Sequence, residues 1–283
     1  MLLTTLVREW LTPRGFDRTA EQDLVMDSDE AVSAFARAGR PNSILSGVHA
    51  FTAQLACRMI RPGDRVLDLG CGPASLLASI AARNRQSSFV GIDASPKMIA
   101  AGNAVLRETG ADNVELRVDD MTELSSVPPA GVDVVLSSMA MHHLADTQAL
   151  RRCFEAIERV MAPGANVLIS DFGRLNSLKS IEYFVRRAIP PDEPELERDY
   201  RASLRAAFSR KEFAAALPGR ISERISLYTT ALSPMMVVMM TPLPDFSGNS
   251  LRSAAVVRSL PRARRADYWQ LYFSLRLGGM PVK

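Results

Sequence analysis

Between residues 65 and 171 the chain alternates short β-branched runs with windows in which apolar residues return every third or fourth position. That alternation marks βαβ units assembled into a parallel sheet. Five strands are predicted: "RVLDL" (65–69), "SFVGID" (88–93), "VELRV" (114–118), "VDVVLSS" (132–138) and "NVLISD" (166–171). The helix after the second strand is fully punctuated, with Ser95 as N-cap, Pro96 at the first helical position and a stop at Gly110. Another helical window carries Leu150, Phe154, Ile157 and Met161 behind an Asp146 cap, and its predicted end is Pro163-Gly164.

Beyond the fifth strand the order changes. "LNSLKSIEYFVRRAI" and "ELERDYRASLRAAF" predict two helices around the Pro-rich "PPDEP", an insertion placed to cover the mouth of the sheet's crevice. Ser209 and Glu212 predict a capping box for a short helix ending near Pro218-Gly219. Two strands, about "RISLYTT" and "PMMVVMM", then predict a hairpin that completes the sheet, and a polar loop after 242 leads to an amphipathic helix around "RADYWQLYFSLRL". The methionines at 235, 236, 239 and 240 read as sheet packing, and the aromatic cluster Tyr268, Trp269, Tyr272 and Phe273 reads either as a cover for the core or as a homodimer contact.

Composition narrows the function. With 283 residues and 47% hydrophobic content the chain can bury a substantial core. Its 34 basic and 31 acidic residues nearly balance, so no nucleic-acid partner is expected. Cys57, Cys71 and Cys153 lack CxxC or Cys/His ligand spacing, which predicts neither a disulfide framework nor a metal site and makes a reducing cytoplasm the default compartment. The opening "MLLTTLVREWL" is interrupted by Arg8 and Glu9 and lacks a cleavage site, and the longest apolar stretch (227–243) is broken by Pro234 and Pro242. Neither a signal peptide nor a membrane partner is therefore expected.

The candidate chemistry begins at "VLDLGCGPAS" (66–75), where a buried strand ends in an acid and two glycines before a helix expected near Ala74. Gly70 and Gly72 let a ligand approach bare backbone, and the free N–H groups of the next helix favour an anionic group. Asp93 closes the second strand, where an acid in this architecture meets ribose hydroxyls. The acids of "RVDDMTEL" close the third strand at the same edge of the sheet, and the three together point to a nucleoside.

The order "VLDLGCGPAS", "GIDASPKMI", "VDDMTEL", "DVVLSSMAMHHL" and "RVMAPGANVLISDF" resembles class I S-adenosylmethionine-dependent methyltransferases, especially the small-molecule branch. The resemblance implies a Rossmann-like α/β fold, with five parallel strands plus a terminal antiparallel hairpin, helices on both faces and a helical cap. The segments would be an N-terminal helical lid (1–62), a cofactor-binding core (63–172), the cap (173–208), the completion of the sheet (209–241) and a tail (242–283).

It also implies S-adenosylmethionine as cofactor. Asp68 and the backbone of Gly70 and Gly72 would hold its methionine moiety, Asp93 the ribose and Ala94 the adenine face. Asp120, rather than Asp119, would accept from the adenine amino group, and the Met121 N–H would meet a ring nitrogen. Ser137, taken as just past the fourth strand, would offer its carbonyl to the methionine amine. Ala74 departs from the pattern, since many members carry a third glycine there.

The reaction implied is in-line methyl transfer to an oxygen, nitrogen or carbon atom of a small-molecule acceptor, in which positioning supplies much of the acceleration. A hydroxyl or amine acceptor must lose a proton, and His142 and His143 after the fourth strand are the candidate bases, although loop histidines often only bond to backbone. His49, in a predicted helix before the sheet, reads as structural. The arginines of the insertion, among them Arg186, Arg198 and Arg201, would meet an acidic substrate or form a solvated face, and Tyr183, Phe184 and Tyr200 would line an acceptor pocket or fix the insertion. Two further readings stay open: a cofactor-binding partner subunit without turnover, and a nicotinamide oxidoreductase. The second would want the longer G-x-G-x-x-G signature, whereas position 75 is Ser75.

Overall fold

The computed structural model describes residues 2–13, 16–40, 42–190, 192–244 and 249–281. Seven strands, β1 (Arg65–Leu69), β2 (Ser88–Asp93), β3 (Val114–Val118), β4 (Val132–Ser138), β5 (Met161–Phe172), β6 (Ser226–Thr229) and β7 (Met236–Met240), form one sheet in the order β3-β2-β1-β4-β5-β7-β6. The first five are mutually parallel, and β7 runs antiparallel to both β5 and β6. The central strands are nearly continuous apolar runs because helices cover both faces. Chain order reverses between β1 and β4, so their carboxyl ends open the crevice in which open α/β sheets bind ligands.

Three helices precede the sheet: α1 (Leu2–Leu11), α2 (Asp29–Ala38) and α3 (Ser46–Met59). Within it lie α4 (Ser75–Ala81), α5 (Pro96–Thr109) and α6 (Thr147–Val160), then the insertion helices α7 (Leu178–Ala188) and α8 (Pro194–Ala206). The chain continues through α9 (Arg210–Ala216), α10 (Gly219–Ser222), α11 (Asn249–Ser259) and α12 (Arg265–Leu277). One face of the sheet packs on α3, α4, α11 and α12, and the other on α6, α9 and α10. The insertion has its own core of Phe172, Leu175, Ile181, Phe184, Val185 and Leu204. Among the described residues no helix is long and apolar enough to cross a membrane.

The caps form as the side-chain chemistry predicts. Ser95 accepts from the Met98 N–H, Asp146 from the Ala149 N–H, and Ser209 and Glu212 bond reciprocally. Two expectations need correction, whereas the helix expected near Ala74 does begin there. The helix behind Asp146 ends at Val160, not at Pro163-Gly164: Met161 turns extended and pairs with Val132, so Pro163 and Gly164 fall inside β5 beside a register shift. The helix after the glycines starts at Ser75, with Ala74 as a left-handed N-cap (φ 56°). The polar loop after 242 contains α11, whose Arg252 donates to the Ile60 carbonyl at 3.0 Å; residues 245–248 of that loop lie outside the described residues. Tyr268 is buried against Phe51 and Tyr272 packs half-buried on the same core, whereas Trp269 and Phe273 face outward, so the aromatic cluster covers the core with two rings and exposes two.

Candidate cofactor and acceptor site

The strand–glycine–helix turn after β1 has two backbone requirements. Gly70 and Gly72 both hold positive φ (64° and 52°). A side chain at Gly70 would place its Cβ 2.4 Å from that of Ala140, so this glycine lets the loop after β4 close onto the turn. At Gly72 the neighbour is Phe35 of α2, 3.3 Å away, which brings the N-terminal segment over the turn. Ala74, at the position of the third glycine, is left-handed despite its methyl, at a cost of about 1 kcal/mol.

Asp68 lies one residue before the end of β1, is 5% exposed and has no hydrogen-bond partner among the described residues. Burial first, and the Asp93 charge second, push its carboxyl up to about 8. A buried acid in that state is a socket for a cation or a donor. Asp93 is differently occupied: Oδ2 accepts from Gly72 N and Oδ1 from Ser95 N, both at 2.9 Å. Burial raises its carboxyl despite these bonds. Each oxygen retains a lone pair for a further donor.

At the end of β3, Asp119 turns inward and organises residues 119–126, accepting from Ser126 N and Oγ at 2.9 and 2.6 Å. Asp120 is exposed and accepts only from Thr122 N, at 2.7 Å. Ala94 is exposed beside it in the crevice edge formed by the strand ends, and the side chain of Met121 reaches toward Gly70. Ser137 lies within β4 rather than past it: it is paired with Leu69 and Ile169, and its Oγ donates to the Leu69 carbonyl at 3.0 Å. Asp68, Asp93 and Asp120 thus gather at the carboxyl ends of β1, β2 and β3, a donor set whose chemistry fits the cationic and hydroxyl groups of S-adenosylmethionine.

The two histidines separate in three dimensions. His142 is 1% exposed, with Nδ1 2.6 Å from Asp171 Oδ1, while Asp171 Oδ2 accepts from the backbone of Met141 and His142 at 2.6 and 3.3 Å. Its ring packs on Phe172. His143 is partly exposed, stacks on His142 with centroids 4.3 Å apart, and places Nδ1 2.6 Å from Glu21 Oε2. Burial pushes His143 down, but the bond to Glu21 and its charge, with Asp171 and Asp93 behind, raise it above the ordinary histidine value. Ligand atoms of Glu21, His142 and His143 lie within 4.8 Å of one another, a spacing that suits a divalent ion. The Glu21–His143 contact is instead a close ion pair, off the alignment of a full hydrogen bond, and His142 Nδ1 is engaged by Asp171.

Glu21 belongs to a strap, residues 16–28, without helix or strand. Sequence reading missed it because it has no periodicity and its partners are remote. Arg18 donates to the carbonyls of Ala206, Ala145, His142 and Leu144 and lies 3.9 Å over the Phe208 ring. Asp27 Oδ1 accepts from Ser95 Oγ at 2.6 Å. His49 sits one helical turn before Thr52, whose Oγ1 is 3.0 Å from Ser170 Oγ, which in turn reaches Ser138. The His49 ring has no hydrogen-bond partner among the described residues, and burial lowers it to about 4, so it is neutral at pH 7. Tyr200 packs edge-on against Phe172, whereas Arg201 is paired with Glu182 and Glu197 and Arg198 with Glu195, which makes those two arginines a solvated face. A separate cavity of about 290 Å³, lined by Met161, Gly164, Arg220 and Thr241 among others, lies at the start of β5, the end of the sheet opposite to Asp68.

A seven-stranded sheet with this order, five parallel strands and an antiparallel β7, carries an acid–glycine turn after β1 and acids at the ends of β2 and β3. A methyltransferase domain family model matches residues 60–204, about half of the chain, and the chain belongs to that family of S-adenosylmethionine-dependent methyltransferases. It is 34% identical over 112 residues to an arsenite methyltransferase of Halobacterium salinarum, covering 39% of this chain and 27% of that protein. It is 29% identical over 129 residues to a ubiquinone biosynthesis O-methyltransferase of Acinetobacter baumannii, covering 44% and 52%. The chain thus spans about half or less of the length of these relatives. Among solved structures, the plantazolicin methyltransferase BpumL in complex with a pentazolic desmethylPZN analog and SAH matches 93% of this chain and 94% of its own at a TM-score of 0.56 and 17% identity. A putative O-methyltransferase from Nostoc punctiforme matches 85% and 68% at a TM-score of 0.56 and 15% identity. At these identities the likeness is one of fold.

Proposed function

We propose that this protein transfers the methyl group of S-adenosylmethionine to an oxygen, nitrogen or carbon atom of a small-molecule acceptor. The observation that carries the reading is the buried, unpartnered Asp68 carboxyl beside the Gly70–Gly72 turn. S-adenosylmethionine supplies a methyl group already activated on a sulfonium. Asp68 would hold the ammonium, Asp93 the ribose hydroxyls and Asp120 the adenine amino group. The strap, the insertion and the loop after β4 would enclose the acceptor and exclude water, which is how positioning accelerates transfer.

His143 is the ring that would take a proton from an oxygen or nitrogen acceptor, and His142, held by Asp171, would fix the loop that presents it. The ubiquinone-biosynthesis O-methylation named for a curated relative supports a small organic acceptor. Three free thiols support a cytoplasmic setting, and the outward Trp269 and Phe273 support a homodimer. Asp93→Ala is expected to weaken calorimetric binding of S-adenosylhomocysteine at least about tenfold; unchanged affinity would reject the ribose assignment.

A further inference from the structure

We propose that Glu21 is a positioning residue for His143: carried on the strap of residues 16–28, it sets the orientation and protonation of that ring, so that the acceptor side of the crevice is assembled only when the strap lies closed. This inference deepens the proposed function and rests on it for the role of His143.

The strap has no backbone ladder of its own and is fastened at three points, mostly by side chains. Arg18 binds the carbonyls of the loop that carries both histidines, and the Thr19 N–H donates to Arg205 O of α8 at 3.1 Å. Glu21 bridges His143 Nδ1 at 2.6 Å and Ser203 Oγ at 2.8 Å. Asp27 reaches the N-terminus of α5, through Ser95 Oγ at 2.6 Å and Lys97 N at 3.3 Å. The strap therefore spans the crevice from the histidine loop and α8 on one side to the start of α5 on the other. A segment fastened by a few side-chain bonds and a single backbone bond to α8 opens at lower free energy than the sheet beneath it.

Several titratable groups face His143: Glu21 from the strap, Asp171 from β5, Asp93 from β2, Asp199 from α8, and the stacked His142 ring. Among the described residues Glu21 is the charged group in direct contact with the His143 ring, 2.6 Å from Nδ1 as an ion pair that is off the alignment of a full hydrogen bond. A carboxylate on Nδ1 leaves Nε2 as the nitrogen that meets a ligand. When the strap lifts, that constraint leaves with it.

The protein has three histidines, His49, His142 and His143, so each ring can be followed by NMR titration of histidine-labelled full-length protein, with His143→Gln as the assignment. In the wild type the His143 midpoint is expected above that of a free histidine. In Glu21→Gln it should fall by at least about half a unit, and Glu21→Asp should retain part of the shift. Hydrogen exchange supplies the second readout: S-adenosylhomocysteine should slow exchange of residues 17–28 at least about threefold in the wild type and less in Glu21→Gln. A His143 midpoint indifferent to Glu21→Gln, or a strap equally protected in both proteins, overturns the proposal. Calorimetric binding of S-adenosylhomocysteine to the wild type is scored separately. Its absence would sink the donor reading, while the histidine titration of the free protein would still decide the Glu21–His143 pairing.

Discussion

Asp93 Oδ2 accepts the Gly72 N–H at 2.9 Å, so the acid that ends β2 also clamps the turn that follows β1. The site's two halves are thus one structural unit. Asp93 Oδ1 holds Ser95 N, which fixes the start of α5, and Ser95 Oγ holds Asp27 of the strap. A chain of three side chains connects the glycine turn to the segment above it.

Gly70→Ala tests that turn. The new methyl would sit 2.4 Å from Ala140 Cβ on a backbone at φ 64°. Overpacking and left-handed strain together cost about 2–4 kcal/mol. Urea unfolding should show a loss of that size, together with loss of S-adenosylhomocysteine binding. A stability within about 0.5 kcal/mol of wild type would contradict the packing described.

Asp68→Asn should separate stability from binding. The folded protein keeps a proton on Asp68 up to about 8, whereas the unfolded chain releases it near 3.8, so stability falls as pH climbs through that interval. An amide removes this penalty. The melting temperature of the ligand-free variant should exceed that of wild type at pH 8, with the difference shrinking toward pH 4, while cofactor affinity drops. A variant less stable than wild type at pH 8 would show that Asp68 is not held as a buried, unpartnered acid.

These predictions draw unequally on the sequence. Strands β1 to β4 were legible to the residue, because fully buried parallel strands are short β-branched runs bounded by turns. The end of α6 was not: Met161 fits the helical period, and only the unpaired Val132 edge of β4 recruits it into β5. α11 was missed because its stripe of Ala, Val and Leu is short and follows a polar loop. Of the site, the acid–glycine motifs were readable and the unequal burial of His142 and His143 was not. That difference depends on Asp171, a strand away, and on Glu21, whose strap has no local pattern.

Asp171→Asn tests the histidine loop. Asp171 is fully buried and accepts from His142 Nδ1 and from the backbone of Met141, His142 and Phe172. Replacing it leaves buried donors without a charged acceptor, at a cost of about 2–4 kcal/mol by chemical denaturation. A neutral effect would mean that the loop after β4 is held by packing alone.

Arg18→Ala should free the strap without unfolding the sheet. The guanidinium binds four backbone carbonyls and covers Phe208. Limited proteolysis should cut within residues 16–28 at least about fivefold faster than in wild type, with little change in the main thermal transition. Equal cleavage rates would show that Arg18 does not fasten the strap.

The most direct measurement is a calorimetric titration of the purified protein with S-adenosylmethionine, run in parallel on Asp68→Asn and repeated with NAD. The account predicts saturable one-to-one binding to the wild type, at least about tenfold weaker binding to the variant, and no saturation by NAD. Saturation by NAD with indifference to S-adenosylmethionine, or equal affinity in the two proteins, would contradict it.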